Sequence, residues 1–299
     1  MISIIIPVYN GEKHIKKCLQ NILKASIDDM EIIVINDGSF DATNEIMCEI
    51  CNTNQSIVYH INHSNLGLGA TRNIGVSLSS KEYLTFLDCD DYIIPESLKK
   101  ALSLIKDNEI LIAPILKLFP NKTKKIVDLH RTIDDKDTSF SKYIGRQYGS
   151  WSAASKIYKS SFIKNNNILF KENHLYEDVI FGMKAHFSSR NTIVTPNFFY
   201  IYTQGNNTIT RTKKFTTQHI KSILQLHNDI TSFFQNEKIL ETHRVAFNSA
   251  MTILVREHLP NLFRAYTEEK NKDAVKIMIL KELREHNTVF KKSCLELIA

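Results

Sequence analysis

The stretch ISIIIPV, Ile2 to Val8, sets six apolar residues around one small hydroxyl, with no polar alternation. A strand with one face in water alternates; a run like this one is buried on both faces, the mark of a parallel sheet covered by helices. The pattern recurs in EIIVIND (31–37), SIVYHIN (56–62), YLTFLD (83–88) and EILIAPI (109–115), each read as a strand. Segments of helical period separate them. EKHIKKCLQNILKA (12–25) gathers Ile15, Leu19, Ile22 and Leu23 on one face, and DATNEIMCEIC (41–51) has Asp41 or Thr43 as its cap. GATRNIGVSLSS (69–80) and ESLKKALSLIKD (96–107) are the next two helices. Strands alternating with helices predict an α/β fold with a mostly parallel central sheet and right-handed crossovers.

The rhythm breaks after about residue 115. KTKKIV (122–127) and TIVTPNFFYIY (192–202) are strand-like, and YEDVIFGMKAHF (176–187) is helical. From about residue 215 the pattern is helical to the end, with Ile220, Ile223, Leu224 and His227 on one face. No run is long enough to span a bilayer, and MISIIIPVYN lacks a basic leader, so it reads as a buried strand rather than a signal peptide. Five scattered cysteines, Cys18, Cys48, Cys51, Cys89 and Cys294, fit reduced thiols in a cytosolic protein.

The net charge of +6 is uneven. Residues 1–210 hold 23 Lys+Arg against 22 Asp+Glu, and residues 211–299 hold 15 against 10, so +1 and +5. Nucleic acid, a phosphate-bearing ligand, an anionic membrane surface or a plain solvated helical face accounts for the basic C-terminal third.

In an open parallel sheet, ligands bind at the carboxyl ends of the strands. Three strand ends bring Asn10, Asp37, Asp88, Asp90 and Asp91 to one crevice. Carboxylates this crowded repel one another unless a cation neutralises them or one holds its proton. Hard oxygen ligands suit Mg²⁺ or Mn²⁺ bridging to substrate phosphates. NLGLGATRN (65–73) is a glycine-containing loop that opens a helix, with Arg72 close behind, a place where backbone N–H groups and a guanidinium approach a phosphate.

SIIIPVYNGEKHIKKCLQNIL, EIIVINDGSFDAT, NLGLGATRNIG and YLTFLDCDDYIIP stand in the order and spacing of the family 2 inverting glycosyltransferases, which have the GT-A fold. The chain resembles that family closely over residues 1–100. The likeness continues more loosely through WSAASKIYKSSFIKNNNILFKENHLYEDVIFGMKA and YIYTQGNNTITR. It implies a catalytic domain over 1–212, with a nucleotide-sugar half (1–115) and an acceptor-side half (116–212), followed by a helical region over 213–299.

By position, the resemblance implies that Pro7, Tyr9 and Asn10 line the nucleotide pocket and that Asp37 contacts the uracil or its ribose. Arg72 would lie near the base or the phosphates. Asp88 and Asp90 would be the D-x-D pair, Asp90 the direct metal ligand, and Asp91 would help position the donor sugar. Asp178 would be the catalytic base and Glu177 its acidic partner. Lys156 and Tyr158 are kept, the spacing from Trp151, the candidate acceptor contact, to Lys156 is stretched relative to the family, and Gln204 stands where the family often has a basic residue.

The implied activity is inverting transfer from a UDP-sugar to a glycan or lipid-linked acceptor in bacterial polysaccharide or lipooligosaccharide synthesis, with Mn²⁺ or Mg²⁺. Expected partners exclude nucleic acid. They include the cytoplasmic face of the inner membrane, met peripherally through Lys213, Lys214, Lys221, Lys291 and Lys292, or a second copy through the C-terminal helices. Two alternatives of other classes are a nucleotidyltransferase, whose basic, glycine-rich first loop PVYNGEKH does not match, and a non-catalytic sugar-nucleotide-binding protein.

Overall fold

The computed structural model describes residues 1–24, 27–121, 123–127, 140, 151–204 and 217–254. The chain forms two compact units, Met1–Gly205 and Asn206–Ala299.

The first unit starts with β1 (Ile2–Val8), α1 (Ile15–Leu23), β2 (Met30–Asn36), α2 (Thr43–Cys51), β3 (Ile57–Ile61), α3 (Leu68–Leu78) and β4 (Tyr83–Phe86). It continues with β5 (Tyr92–Ile93), α4 (Pro95–Ile105), β6 (Ile110–Ile112), β7 (Ile115–Leu118) and β8 (Lys124–Val127). After these come β9 (Lys156–Lys159), α5 (Ser160–Asn165), α6 (Glu177–Ser188), β10 (Thr192–Val194) and β11 (Tyr200–Thr203).

A seven-stranded sheet runs β10-β6-β9-β4-β1-β2-β3. It is parallel except at β9, which lies antiparallel between β4 and β6. The apolar strands divide by parity. Ile2, Ile4, Ile6, Ile32 and Val34 pack with α1 and α4, while Ile5, Ile33, Ile35, Leu84 and Phe86 pack with α3, α5 and α6. Both faces are covered, which is why these strands read as unbroken apolar runs. α3 lies so close to β1 that a Cβ on Gly75 would stand 2.3 Å from Ile5 Cγ2, so the contact needs glycine.

Two runs that read as single strands are each two. EILIAPI divides between β6 in the large sheet and β7 in a second sheet of order β5-β11-β7-β8. Pro114 at the break has no N–H for a ladder, and Ser155 Oγ donates to the carbonyls of Ala113 and Pro114 at 3.0 and 2.9 Å. TIVTPNFFYIY likewise divides into β10 and β11, one in each sheet, with Pro196 between them.

In the second unit, α7 (Thr217–Asn236) buries Ile223, Leu224 and His227, and helical backbone resumes over 244–254. Lys221 is exposed on α7; Lys213, Lys214, Lys291 and Lys292 lie outside the described residues. No described helix is long and apolar enough to cross a membrane. Cys18, Cys48, Cys51 and Cys89 are free thiols, and Cys294 lies outside the described residues.

Candidate active site

From β1 the chain crosses to β2 and β3 on one side, and β4 returns to the other. This reversal is the point at which a doubly wound sheet opens a crevice beyond its strand ends. The β1–β4 ladder ends at Ile5 and Phe86, closed by Leu87 N–H donating to Ile5 O at 3.0 Å. Pro7, buried, stands on the β4 side of β1 just past that last bond, where a missing N–H costs nothing and the strands part.

The loops over β1 and β2 are fastened to each other. Asn10, in a left-handed conformation (φ 51°), donates its N–H to Ser39 Oγ at 2.8 Å and accepts from Phe40 N–H at 3.1 Å. Gly11 N–H donates to Thr43 Oγ1 at 2.8 Å. Asp41, one residue before the Ala42 N-cap of α2, accepts from Thr43 N–H through Oδ1 at 3.0 Å. Two aromatic rings stand outside this lattice. Tyr9 is 45% exposed and Phe40 82%, edge to face with centroids 6.0 Å apart.

Asp37, buried at the end of β2, is fully engaged. Its Oδ1 accepts from Asn62 Nδ2 and Leu66 N–H, both at 2.8 Å, and its Oδ2 from Gly67 N–H at 2.9 Å. Gly67 has φ 87°, a region where a side chain is strained, so the loop that opens α3 is shaped by Asp37 on one side and by glycine's freedom on the other.

One turn into α3, Arg72 is buried. Its fork is divided between two acids: Nη1 donates to Glu177 Oε1 at 2.5 Å and Nη2 to Asp88 Oδ1 at 2.9 Å. The guanidinium lies 5.3 Å from the centre of the Phe170 ring, which stacks parallel on Phe181 of α6 at 3.9 Å. Two residues far apart in sequence, one from the β4 turn and one from the N-terminus of α6, are thus joined through one cation. Asp178 follows Glu177 in the first turn of α6, where the helix dipole favours negative charge.

Among the described residues, five carboxylates lie in this region with Arg72 and Lys156, and His14 acts on Asp90. Burial pushes the Asp90 carboxyl upward, and Asp88 adds to it. Burial pushes Asp91 up to about 8, again with help from Asp88. Glu177 and Asp178 are raised by burial while Arg72 pulls both back, and Lys156 also favours the charged Asp178. Lys156, buried in β9, donates to Ser152 O at 2.6 Å.

The expected site residues therefore fall into two sets. Asp88, Asp90, Glu177, Asp178 and Arg72 come together. Asn10 and Asp37 are tied into loops, and Asp91 turns toward β11, where Tyr200 Oη donates to its Oδ2 at 2.5 Å and Thr203 N–H to its Oδ1 at 2.7 Å. Trp151 and Tyr158 are buried, and Gln204 N–H bonds Leu118 O at 2.9 Å. Burial, and secondarily Lys156, pushes His186 down. The sequence reading missed Phe40, Phe170, Tyr200 and Thr203. Phe40 alone left a trace there, a bulky aromatic between small and acidic residues in a turn.

Among the described residues, no group of three His, Cys, Asp or Glu side chains is arranged to hold a metal by itself. The donor set still fits a hard divalent cation that takes its other ligands from a diphosphate and water: Asp90 is destabilised as an anion, and Asp88 spends only Oδ1 on Arg72.

The family model for glycosyl transferase family 2 matches residues 3–189. EpsH of Bacillus subtilis (strain 168) is 29% identical over 252 residues, covering 81% of this chain and 72% of EpsH. The poly(ribitol-phosphate) beta-N-acetylglucosaminyltransferase TarS of Staphylococcus aureus (strain Mu50 / ATCC 700699) is 28% identical over 203 residues, which is 67% of this chain and about a third, 35%, of TarS. The crystal structure of S. aureus TarS 1–349 in complex with UDP-GlcNAc superposes with a TM-score of 0.73 at 21% identity, over 95% of this chain and 80% of that one. The mannosyltransferase PcManGT of Pyrobaculum calidifontis, in complex with GDP-Man and Mn²⁺, superposes with a TM-score of 0.58 at 13% identity, over 99% of this chain and 78% of that one. The fold of residues 1–205 is the α/β arrangement of these glycosyltransferases, with a mixed central sheet flanked by helices.

Proposed function

Because the chain belongs to glycosyl transferase family 2 and is a glycosyltransferase, we propose that it moves a sugar from a UDP-sugar to a hydroxyl of a phosphate-bearing bacterial surface glycan, with inversion at the sugar. One observation carries the reading: Arg72 joins Asp88, at the end of β4, to Glu177, beside Asp178, so donor-side and acceptor-side acids meet at the point where the sheet opens. The UDP and phosphate-polymer parts draw on TarS, whose names include UDP-GlcNAc and poly(ribitol-phosphate). The exposed rings of Tyr9 and Phe40 suit a flat nucleobase.

In the reaction, the acceptor oxygen forms a bond to C1 of the donor sugar as the bond from C1 to the diphosphate breaks on the opposite face. Asp178 takes the hydroxyl proton. Burial makes its carboxylate a stronger base than one in water, and Arg72 and Lys156 keep it from holding the proton permanently. Glu177, bonded to Arg72, fixes the first turn of α6 and with it the direction of Asp178. Asp90 and the free oxygen of Asp88 would hold Mn²⁺ or Mg²⁺, which when bound supplies charge neutralisation to the departing diphosphate.

The test is UDP release from a panel of UDP-sugars with Mn²⁺ or Mg²⁺, with and without poly(ribitol phosphate). Release that rises with the polymer supports the reading. No release from any UDP-sugar, with folded protein, overturns it.

A further inference from the structure

The four-stranded sheet starts at the acid turn and ends in the lysines of β7 and β8. Segment 110–127 contains Lys117, Lys122, Lys124 and Lys125 and no acid. In the β7–β8 ladder Lys117 stands opposite Lys125, and Leu118 opposite Lys124. Like charges directly across an antiparallel pair destabilise it. Among the described residues no carboxylate pairs with Lys117, Lys124 or Lys125. β8 is an edge strand, where lysine guards against edge-to-edge pairing; a second lysine directly opposite on β7 goes beyond that need, and an anion between the two would relieve their repulsion.

The lysines are in line with the site. On the other edge of β7, Lys117 is in register with Tyr202, and its Nζ lies 5.8 Å from the centre of that ring. β5 and β11 pair Ile93 with Tyr200 and Tyr92 with Ile201, so the next step of the same register sets Asp91 beside Tyr202. The Thr203 N–H bond to Asp91 closes that step. Across the sheet the order is Asp91, Tyr202, Lys117, Lys125. At about 4.8 Å per strand, Lys117 stands about 10 Å and Lys125 about 14 Å from the acid turn. Tyr200, buried on the same face of β11 as Tyr202, donates its hydroxyl to Asp91 and accepts from the Asp88 N–H, so one face of β11 runs from the acid turn to Tyr202.

We propose that Tyr202, Lys117 and Lys125 form a subsite for a phosphate group of the acceptor chain, next to the hydroxyl that is glycosylated. The ring offers a flat surface to the apolar side of a sugar or polyol, and the two ammonium groups bind the phosphate oxygens. The proposal rests on the transferase reading above and adds the chemistry of the acceptor and the residues that hold it.

The experiment measures binding of short-chain sodium polyphosphate, of UDP and of phosphatidylglycerol vesicles to the full chain across a range of salt. Lys117→Gln with Lys125→Gln is expected to weaken polyphosphate binding about tenfold and flatten its dependence on log salt by nearly two, with UDP affinity unchanged. Lys117→Arg with Lys125→Arg is expected to keep both, which separates lost charge from lost folding. Unchanged polyphosphate affinity in the glutamine variant overturns the proposal. An equal loss of UDP affinity also overturns it, by assigning the lysines to the donor diphosphate. A response of vesicle binding alone assigns them to a lipid headgroup instead. None of these readouts needs turnover, so failure of the transferase reading, seen as no UDP release, remains separate.

Discussion

The loops above β1 and β2 and the acids around Arg72 face the same crevice but are built on opposite principles. In the loops, polar side chains accept from neighbouring donors: Ser39 from the Asn10 N–H, Asn10 from the Phe40 N–H, Thr43 from the Gly11 N–H, and Asp37 from three donors. Among the described residues of the other region, five carboxylates lie with Arg72 and Lys156, and burial raises the proton affinity of four of them. The first region is finished before any ligand arrives and presents the rings of Tyr9 and Phe40 on a rigid frame. The second is finished only by what binds it. On the function proposed above, a cation and substrate in the crevice would offset charge that is costly in the free protein, and this coupling would let binding energy be used in the reaction.

The comparison breaks most visibly at Asp178. Asp178→Asn keeps the shape and removes the proton acceptor, so transfer should fall by roughly 10²–10⁴-fold. UDP affinity should hold, because the loops over β1 and β2 are untouched. Single-turnover transfer and UDP titration on the same sample test both halves; loss of UDP affinity without loss of turnover would place Asp178 on the donor side.

A second effect should appear in stability. Above pH 8, where Glu177 is ionised, Arg72→Gln leaves a buried carboxylate without its cation, and removing one partner of a buried ion pair costs about 3–5 kcal/mol. Glu177→Gln placed in the same chain should recover a large part of that loss, as urea denaturation of the two variants would read. Additive losses would mean that Arg72 acts through its packing on Phe170 and not through charge.

Asp37→Asn tests the finished region and should cost less, about 1–3 kcal/mol, because an amide cannot accept from all three donors that the carboxylate serves. Mn²⁺ and UDP-sugar together should raise the melting temperature of the unaltered chain through the acid cluster, and Asp37→Asn should preserve that rise if Asp37 shapes the loop and does not hold the ligand. Thermal denaturation with and without both ligands separates the two roles.

The sequence carries much of this division, but unequally. β1, β2 and β4 are legible because strands buried on both faces leave apolar runs, and the acids at their ends stand out against those runs. The division of EILIAPI between two sheets is hidden by continuous hydrophobicity; Pro114 marks the break without telling which sheet takes which half. β9 enters antiparallel between β4 and β6, a pairing that no local pattern encodes. The engagement of Asp91 by Tyr200 spans 109 positions, and the division of Arg72 between Asp88 and Glu177 spans 16 and 105. Residue types announce that acids and an arginine are present. Only the fold decides which acid faces the crevice and which is used to hold a strand.

The smallest effect expected is in the pH dependence of stability, where the two regions should slope in opposite directions. Burial works against the charged Asp41, but hydrogen bonds from Thr43 and from the Glu12 N–H outweigh it and hold the carboxyl below its ordinary value. Its contribution is present above the ordinary carboxylate pKa and is lost as pH falls through the lowered folded value. Glu177 is opposite in sign: burial raises it to about 8 despite Arg72. The folded state then binds a proton that the unfolded chain releases, so the contribution is full below the ordinary pKa and is lost as pH rises toward 8. The melting temperature of the metal-free protein should therefore rise on leaving strong acid and decline between about pH 5 and 8. Asp41 is largely solvated, so its limb should be on the order of a degree or two. Glu177→Gln should make the decline shallower, with the remainder coming from Asp91, which burial also raises to about 8, and should leave the acid limb, whereas Asp41→Asn should do the reverse. A decline that persists unchanged in Glu177→Gln would mean that Arg72 keeps Glu177 ionised throughout, and the contrast between a finished and an unfinished region would then have to rest on Asp178 and the β4 turn alone.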